Sequence, residues 1–598
     1  MNDGSPRLTW TEDGAPISGR FGDVYFSKED GLAESRAVFL AGCGLPDAWH
    51  GRSRFMVAEL GFGTGLNVAA LIALWRRESP PGGRLHVFSI EGFPLSGDEA
   101  ARALSGWPEI AEETAALIAA WPAPTPGFHR LDLPADWRVT LDVAIGPVEP
   151  TLARWSGRAD AWFLDGFAPA ANPDMWSPDV LRRVAERSRP GARVATFTVA
   201  GAVRRGLTEV GFAVEKQPGH GRKRERLEAR LTGPAPTETP APRVGVVGGG
   251  IAGQSVARAL LNVGASPILI DAEAPGAGAS GFPAALVTPR LDVGDEGLAA
   301  LSAQALERAG ALYDALPEAV TARGVVQLEQ APRDVGRFDR IAGQPIWAEG
   351  AMRRLNPSAA SALVGEPSTT GGLEMRDARA VVPAAIRGAF LQGVEVIKAS
   401  VHAIEETGTG VRLTDADGAV VVETDAVVIT AGWGAAALVP QLALSPVRGQ
   451  ADWVEGVRGP AVAWGGYVVP TATGVLFGAT HDRARTHVSQ DPSDSRRNLA
   501  TLKTRLPNLA ESLEGSTSHS RAAIRATTPD RLPLAGRLGD RTWIVGGLGA
   551  RGFALAPLLA EHVAAQIMAT PSPLPTDLAA RVDPRRLAER PRPAERST

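Results

Sequence analysis

Two glycine-rich loops, each set between an apolar strand pattern and a helical pattern, constrain this chain more than any other feature. The first is Glu59-Leu-Gly61-Phe-Gly63-Thr-Gly65, and the second is Val247-Gly248-Gly249-Gly250-Ile-Ala-Gly253. Glycine lets a backbone turn tightly and approach a ligand with no Cβ in the way. Between the two loops lies Gly233–Pro242, GPAPTETPAP, in which four of ten residues are proline and none is large and apolar. Proline fixes φ and removes donors, so this stretch reads as an extended spacer. A chain of 598 residues accommodates two large units on either side of it. The expected division is a unit at 1–232, a linker at 233–242, a second unit at 243–582 and a polar tail at 583–598, rich in Arg, Pro and Glu.

The first unit alternates strands and helices. Arg54–Leu60 is an apolar strand that runs through the glycine loop into a helical pattern, Leu66–Trp75. Later strands are expected at Arg84–Ile90, Ala159–Asp165 and Ala192–Thr198. Such alternation predicts a doubly wound parallel sheet of the Rossmann type. The second unit restarts the pattern with a strand at Arg243–Val247, a helix over Gln254–Val263 and a strand at Pro267–Ile270. Further on, short β-rich runs such as Val420–Thr430 and Thr542–Gly546 point to an added mixed or antiparallel substrate sheet. The fold class is α/β in both halves.

In the first unit, Glu91 ends the strand after the glycine loop, 26 residues beyond Gly65. An acid there accepts hydrogen bonds from a ribose diol. Glu59 opens the loop itself, which suits a cationic, amino-acid-bearing nucleoside better than a pyrophosphate, and S-adenosylmethionine fits that description. Glu59, Gly61, Gly63, Gly65 and Glu91 are the candidate cofactor residues. Asp165-Gly-Phe167-Ala-Pro169 follows a later strand, where ligands of open α/β sheets bind. Asp165 there either orients and deprotonates an amine beside a methyl donor or caps a helix.

The second loop has the G-x-G-x-x-G spacing, and Asp271 lies 23 residues after Gly248. Gly248, Gly250, Gly253 and Asp271 are therefore candidate contacts to a dinucleotide, flavin or nicotinamide. Gly432 in TAGW, and Gly549, Arg551 and Gly552 in GGLGARGF, would complete the cofactor cavity from later in the chain. Arg525 would clamp a substrate carboxylate as a bidentate pair, unless it pairs internally with Asp530.

Charge separates what the chain contacts. The net charge is −4, which excludes nucleic-acid binding by overall basicity. Residues 1–181 carry 14 basic and 24 acidic residues, but 182–230 carry 13 basic and 5 acidic. That local excess points to an anionic polymer. A solvated helix laced with Glu–Arg pairs is the structural alternative. The single cysteine, Cys43, excludes an internal disulfide framework and a cysteine metal cluster, and no metal site is expected. No apolar run reaches the ~18 residues of a membrane span, and the first ten residues lack the layout of a signal peptide. A cytoplasmic protein with no membrane partner is expected.

Taken in order, ELGFGTGLN (Glu59–Asn67), DAWFLDGFAPAANPDMW (Asp160–Trp176), TFTVAGAVRRGL (Thr196–Leu207), GHGRKRE (Gly219–Glu225), GGGIAG (Gly248–Gly253) and GLGARGFALAPLLAE (Gly547–Glu561) resemble the bifunctional tRNA 5-methylaminomethyl-2-thiouridine biosynthesis family. The resemblance runs from about Phe21 to Arg586. It implies an S-adenosylmethionine-dependent methyltransferase followed by an FAD-dependent oxidoreductase similar to glycine and D-amino-acid oxidases. The oxidoreductase would remove the carboxymethyl group from 5-carboxymethylaminomethyl-(2-thio)uridine at the tRNA wobble position, and the methyltransferase would then methylate the freed amine. It implies that Asp165 and Arg525 are the catalytic-site residues and that the basic segment 182–230 meets the anticodon loop. Two positions depart from the family pattern: Phe282 stands where asparagine is usual, and His481 where tyrosine is common.

Overall fold

In the computed structural model, residues 8–588 are described, apart from 13, 27–29, 222–223, 234–239 and 484. The chain separates into two compact units, Met1–Pro240 with Pro571–Thr576, and Ala241–Thr570 with Asp577–Thr598. Most of the proline-rich stretch lies outside the described residues.

The first unit is built on an eight-stranded sheet. Its strand order is Phe212–Pro218, Glu225–Leu231, Ser188–Thr196, Ala159–Leu164, Arg54–Leu60, Arg84–Glu91, Val139–Ile145, Gly127–Leu131. The five strands from Ser188–Thr196 to Val139–Ile145 are parallel, and the outer ones are antiparallel. The Arg54–Leu60 strand is buried at six of its seven positions, as a strand covered by helices on both faces must be. Successive connections leave it in opposite directions, so its carboxyl end is the switch point where such sheets bind ligands. Helix Leu66–Glu78 starts there. Leu8–Trp10, Pro16–Ser18 and Asp23–Val24 form a separate small antiparallel sheet.

The second unit carries a six-stranded sheet in the order Glu395–Lys398, Ser266–Asp271, Arg243–Val247, Ala426–Ile429, Thr542–Gly546, Leu534–Arg537. All but the last pairing are parallel. Helix Ile251–Asn262 follows the glycine loop. A ten-stranded sheet supplies the mixed substrate layer. In it Ser445–Glu455 and Ser518–Thr527 run antiparallel from Ser445↔Thr527 to Val454↔Ser518. Alternation divides the faces of that pair. On one face Arg448, Gln450 and Asp452 are wholly buried against helix Pro492–Arg505, where Arg448 pairs with Asp494 and Asn498 donates to Asp452 at 2.7 Å. The opposite face carries Ala451, Trp453 and Arg525.

The first residues of the expected polar tail are structured. Arg585–Ala588 is a short helix, and Arg586 pairs with the buried Asp530 carboxylate at 3.0 Å. Residues 589–598 lie outside the described residues. The expected run Val420–Thr430 is two strands, Val420–Thr424 and Ala426–Ile429, in different sheets.

Candidate functional sites

A cavity of about 1320 Å³ opens over the carboxyl ends of the first unit's parallel strands. Gly61, Gly63, Glu91, Asp165 and Phe167 all line it. Gly61 has φ +97°, and a Cβ there would fall 1.9 Å from the Asp165 carbonyl oxygen, so only glycine lets these two loops close on each other. Glu91 accepts from the Gly63 amide at 2.8 Å and from Phe93 at 2.7 Å, which fixes the loop beneath the ligand space. Burial raises the Glu91 pKa, partly offset by those amides.

Two expected cofactor residues stand elsewhere. Glu59 is 1% exposed and does not line the cavity. Its carboxyl accepts from Ser89 Oγ at 2.6 Å and from Asn67 Nδ2 at 3.1 Å, and burial pushes its pKa up to about 8. Gly65 sits at the N-cap of the following helix and packs toward Leu117. Asp165 caps no helix. Its Oδ2 accepts from Asn67 Nδ2 at 2.6 Å, so Asn67 bridges Glu59 and Asp165.

The sequence reading missed Asn67 and the wall formed by Phe21, Asp23 and Tyr25. Phe21 stacks on Phe167 at 4.8 Å and Tyr25 meets it edge-on at 5.2 Å. Asp23 accepts from the Ala168 amide at 3.3 Å. Asn67 stood in plain view as the last residue of ELGFGTGLN. Phe21–Tyr25 carry no strand or helix period that would have marked them.

The basic segment is less free than its composition suggested. Arg182, Arg183, Arg189, Lys216 and Arg226 form ion pairs, and Arg187 and Arg193 donate to backbone carbonyls. Its later part, Glu225–Leu231, is a strand rather than a helix, with the pairing Lys216–Glu225 crossing to the neighbouring strand. Among the described residues, Arg204, Arg205, Arg224 and Arg230 are exposed and form no ion pair. His220 lines the cavity.

In the second unit a cavity of about 1040 Å³ is lined by Gly248, Gly250, Asp271, Gly432, Arg525, Gly549, Arg551 and Gly552. The Asp271 carboxylate accepts from the Gly249 amide and from Glu273 at 3.0 Å. Gly253 does not line the cavity. A Cβ there would lie 1.9 Å from the Gly248 carbonyl oxygen, so its role is to let the helix pack on the loop. Thr430 Oγ1 donates to the Gly248 carbonyl at 2.7 Å, which brings Gly432 to the cavity edge. Arg551 donates to Thr288 Oγ1 at 3.0 Å, and burial lowers its pKa to about 10. Arg525 does not pair with Asp530, whose partner is Arg586. Among the described residues Arg525 has no carboxylate partner, and it hydrogen-bonds Tyr467, another cavity residue. His481 is exposed near Arg525, and partial desolvation together with the Arg525 charge lowers its pKa.

The comparisons match this geometry. A family of S-adenosyl-L-methionine-dependent methyltransferases matches residues 108–232, and the FAD dependent oxidoreductases match 243–566. The chain is 52% identical to the tRNA 5-methylaminomethyl-2-thiouridine biosynthesis bifunctional protein MnmC of Caulobacter vibrioides, covering 96% of each chain. It is 41% identical to the MnmC of Maricaulis maris, over 94% of this chain and 92% of that one.

The chain belongs to the MnmC family.

Its first unit is a methyltransferase that uses S-adenosylmethionine, and its second is an oxidoreductase that uses FAD. The L-proline dehydrogenase of P. horikoshii, 18% identical, shares the fold of the second unit with a TM-score of 0.50, over 59% of this chain and 99% of that one. The residues fit these groups. The bare-backbone cradle at Gly248–Gly250 admits a phosphate chain, with Asp271 beside it. The Gly61–Gly63 loop backed by Glu91 suits a nucleoside. Among the described residues no group of three or more acids, histidines or cysteines could hold a metal ion. No described helix is long and apolar enough to cross a membrane.

Proposed function

We propose that the two units act in succession on one nitrogen of a tRNA wobble uridine. The second unit removes the carboxymethyl group of 5-carboxymethylaminomethyl-(2-thio)uridine, and the first methylates the resulting amine to 5-methylaminomethyl-(2-thio)uridine. The observation that carries this is Arg525, a cavity arginine with no carboxylate partner among the described residues, in a chain that matches a bifunctional relative over 96% of its length.

When bound, FAD would take up a hydride, which carries two electrons, and S-adenosylmethionine would offer an electrophilic methyl group. Asp271, Gly248 and Gly250 hold the adenosine diphosphate part, and Gly432, Gly549, Arg551 and Gly552 close the cavity. Arg525, with Tyr467, clamps the substrate carboxylate and so orients the carbon next to the amine. Oxidation there leaves an imine, whose hydrolysis breaks the C–N bond and gives the aminomethyl nucleoside and glyoxylate. In the other cavity the substrate arrives as an alkylammonium, which has no lone pair. Asp165 accepts its proton, and Asn67 holds the carboxylate in place while Glu59 holds Asn67. Phe167, Phe21 and Tyr25 present ring faces and edges to the base or the cationic methyl group.

The same reading makes Arg204, Arg205 and Arg224 the phosphate contacts of the first unit and places the protein in the cytoplasm. An unpaired anticodon-loop base costs less to extrude into either cavity than a paired one.

The test is a two-stage assay with FAD-loaded protein and tRNA bearing the carboxymethylaminomethyl nucleoside. Glyoxylate should form without S-adenosylmethionine, and labelled methyl should enter the tRNA only once it is added. Methyl incorporation without prior glyoxylate release, or no glyoxylate at all, would refute the proposal.

A further inference from the structure

The sheet face that carries Arg525 continues beyond the cavity. Side chains on one face of a strand recur every second residue. Arg525, Ala523, Arg521 and His519 therefore share a face, opposite Val447, Gly449, Ala451 and Trp453. His519 lies roughly 20 Å along the strand from Arg525. The row is cationic near the cavity and aromatic at its outer end.

Arg521 and Phe282 both line the flavin-side cavity, with the guanidinium carbon 5.9 Å from the phenyl centroid. Arg521 Nη2 donates to the Ala277 carbonyl, whereas its buried Nε has no partner among the described residues. Further out, the His519 imidazole stacks on the Trp453 indole at 5.5 Å and 22°. Trp453 is anchored from behind, packed with Phe282 and Tyr467 on the Ala284–Ala451–Leu476 cluster. His519 is exposed. Gln490 donates to the Ser520 carbonyl at 2.8 Å, and Val488, 57% exposed, lines the cavity beside it. A ring pair fixed by the core on one side and open to water on the other is what single-stranded nucleic acid stacks on.

We propose that this row is a subsite for the nucleotide next to the reacting uridine, with its base stacked on the His519–Trp453 pair and its phosphate on Arg521. The inference rests on the tRNA reading above. It commits to RNA because the row joins a π surface to two guanidinium groups that have no carboxylate partner among the described residues, and because it leads directly out of the substrate cavity. The carboxymethyl arm, the uracil ring and one nucleotide step together span a distance comparable with the length of the row. On this account Phe282 backs the platform and holds its place beside Arg521.

The experiment compares anaerobic flavin bleaching by hypomodified tRNA with bleaching by the free 5-carboxymethylaminomethyluridine nucleoside. His519→Ala should raise the tRNA concentration for half-maximal bleaching about tenfold. The limiting bleaching rate and all kinetics with the nucleoside should stay at wild-type values. Trp453→Leu should do the same, and His519→Tyr, which keeps a ring, should restore tRNA half-saturation. His519 is exposed, so its variants test the idea without risk to the fold. An unchanged tRNA half-saturation in His519→Ala, or an equal loss with tRNA and nucleoside, would overturn the subsite. If neither substrate bleaches the wild-type flavin, the tRNA reading itself falls, and the subsite with it. If the wild type bleaches with tRNA and the variants match it, only the subsite falls.

Discussion

Asp165 keeps one carboxylate oxygen tied to Asn67 and presents its carboxyl to the cavity. As proton acceptor it should matter by the usual general-base margin. Asp165→Ala should cut methyl transfer about 10²–10⁴-fold with S-adenosylmethionine affinity retained, measured by calorimetry beside turnover. Asn67→Ala should cost about tenfold through loss of one hydrogen bond to a charged group, and should lower kcat more than it raises KM. Glu59 acts one step further back. Its folded pKa, raised by burial to about 8, lies above its ordinary value of 4.5. The group is therefore most favourable to the fold below about pH 4.5, and its contribution is lost as pH rises through about 8. Glu59→Gln should remove that loss, so the variant's melting temperature relative to wild type should climb over this range. A pH-independent difference would show that Glu59 is charged in the fold. Arg525→Ala should abolish tRNA-driven flavin bleaching, while Arg525→Lys should keep only a small fraction of it because the bidentate fork is lost.

Strand–loop–helix units were legible because their apolar periods and glycine spacings are local. Arg54–Leu60, Arg243–Val247 and Thr542–Gly546 have the bounds their patterns predict. The glycines are legible for the same reason, although sequence alone does not separate those that face ligand from those that pack. Gly61 faces the cavity, whereas Gly65 and Gly253 seat helices. Gly61→Ala should cost about 1–2 kcal/mol in backbone strain alone, besides the clash with Asp165, and calorimetry of the variant should show weakened S-adenosylmethionine binding. What the sequence hid was contact across distance. Phe21 and Tyr25 reach Phe167 from more than 140 positions away, with no period to announce them. Basic side chains read as a free patch between 182 and 230 are mostly engaged within the unit: Lys216 meets Glu225 across neighbouring strands, Arg226 meets Glu228 along its own strand, and Arg182 meets Asp179 on its own helix. The surviving prediction is narrower. Replacing Arg204, Arg205 and Arg224 together should flatten the salt dependence of tRNA binding, by about one unit of log–log slope per lost phosphate contact.

At the scale of the whole molecule, each unit holds its own cavity over its own sheet. Their chemistries are consecutive, since the amine freed by oxidation is the nucleophile that methylation needs. A mutation in one cavity should therefore stop the pathway at a defined nucleoside rather than lower all products alike. The most direct measurement is nucleoside mass spectrometry of tRNA from a strain lacking the gene and supplied with single-site variants. Arg525→Ala should leave 5-carboxymethylaminomethyl-(2-thio)uridine, and Asp165→Ala should leave 5-aminomethyl-(2-thio)uridine. The fully methylated nucleoside in either strain, or the same accumulated nucleoside in both, would contradict the account.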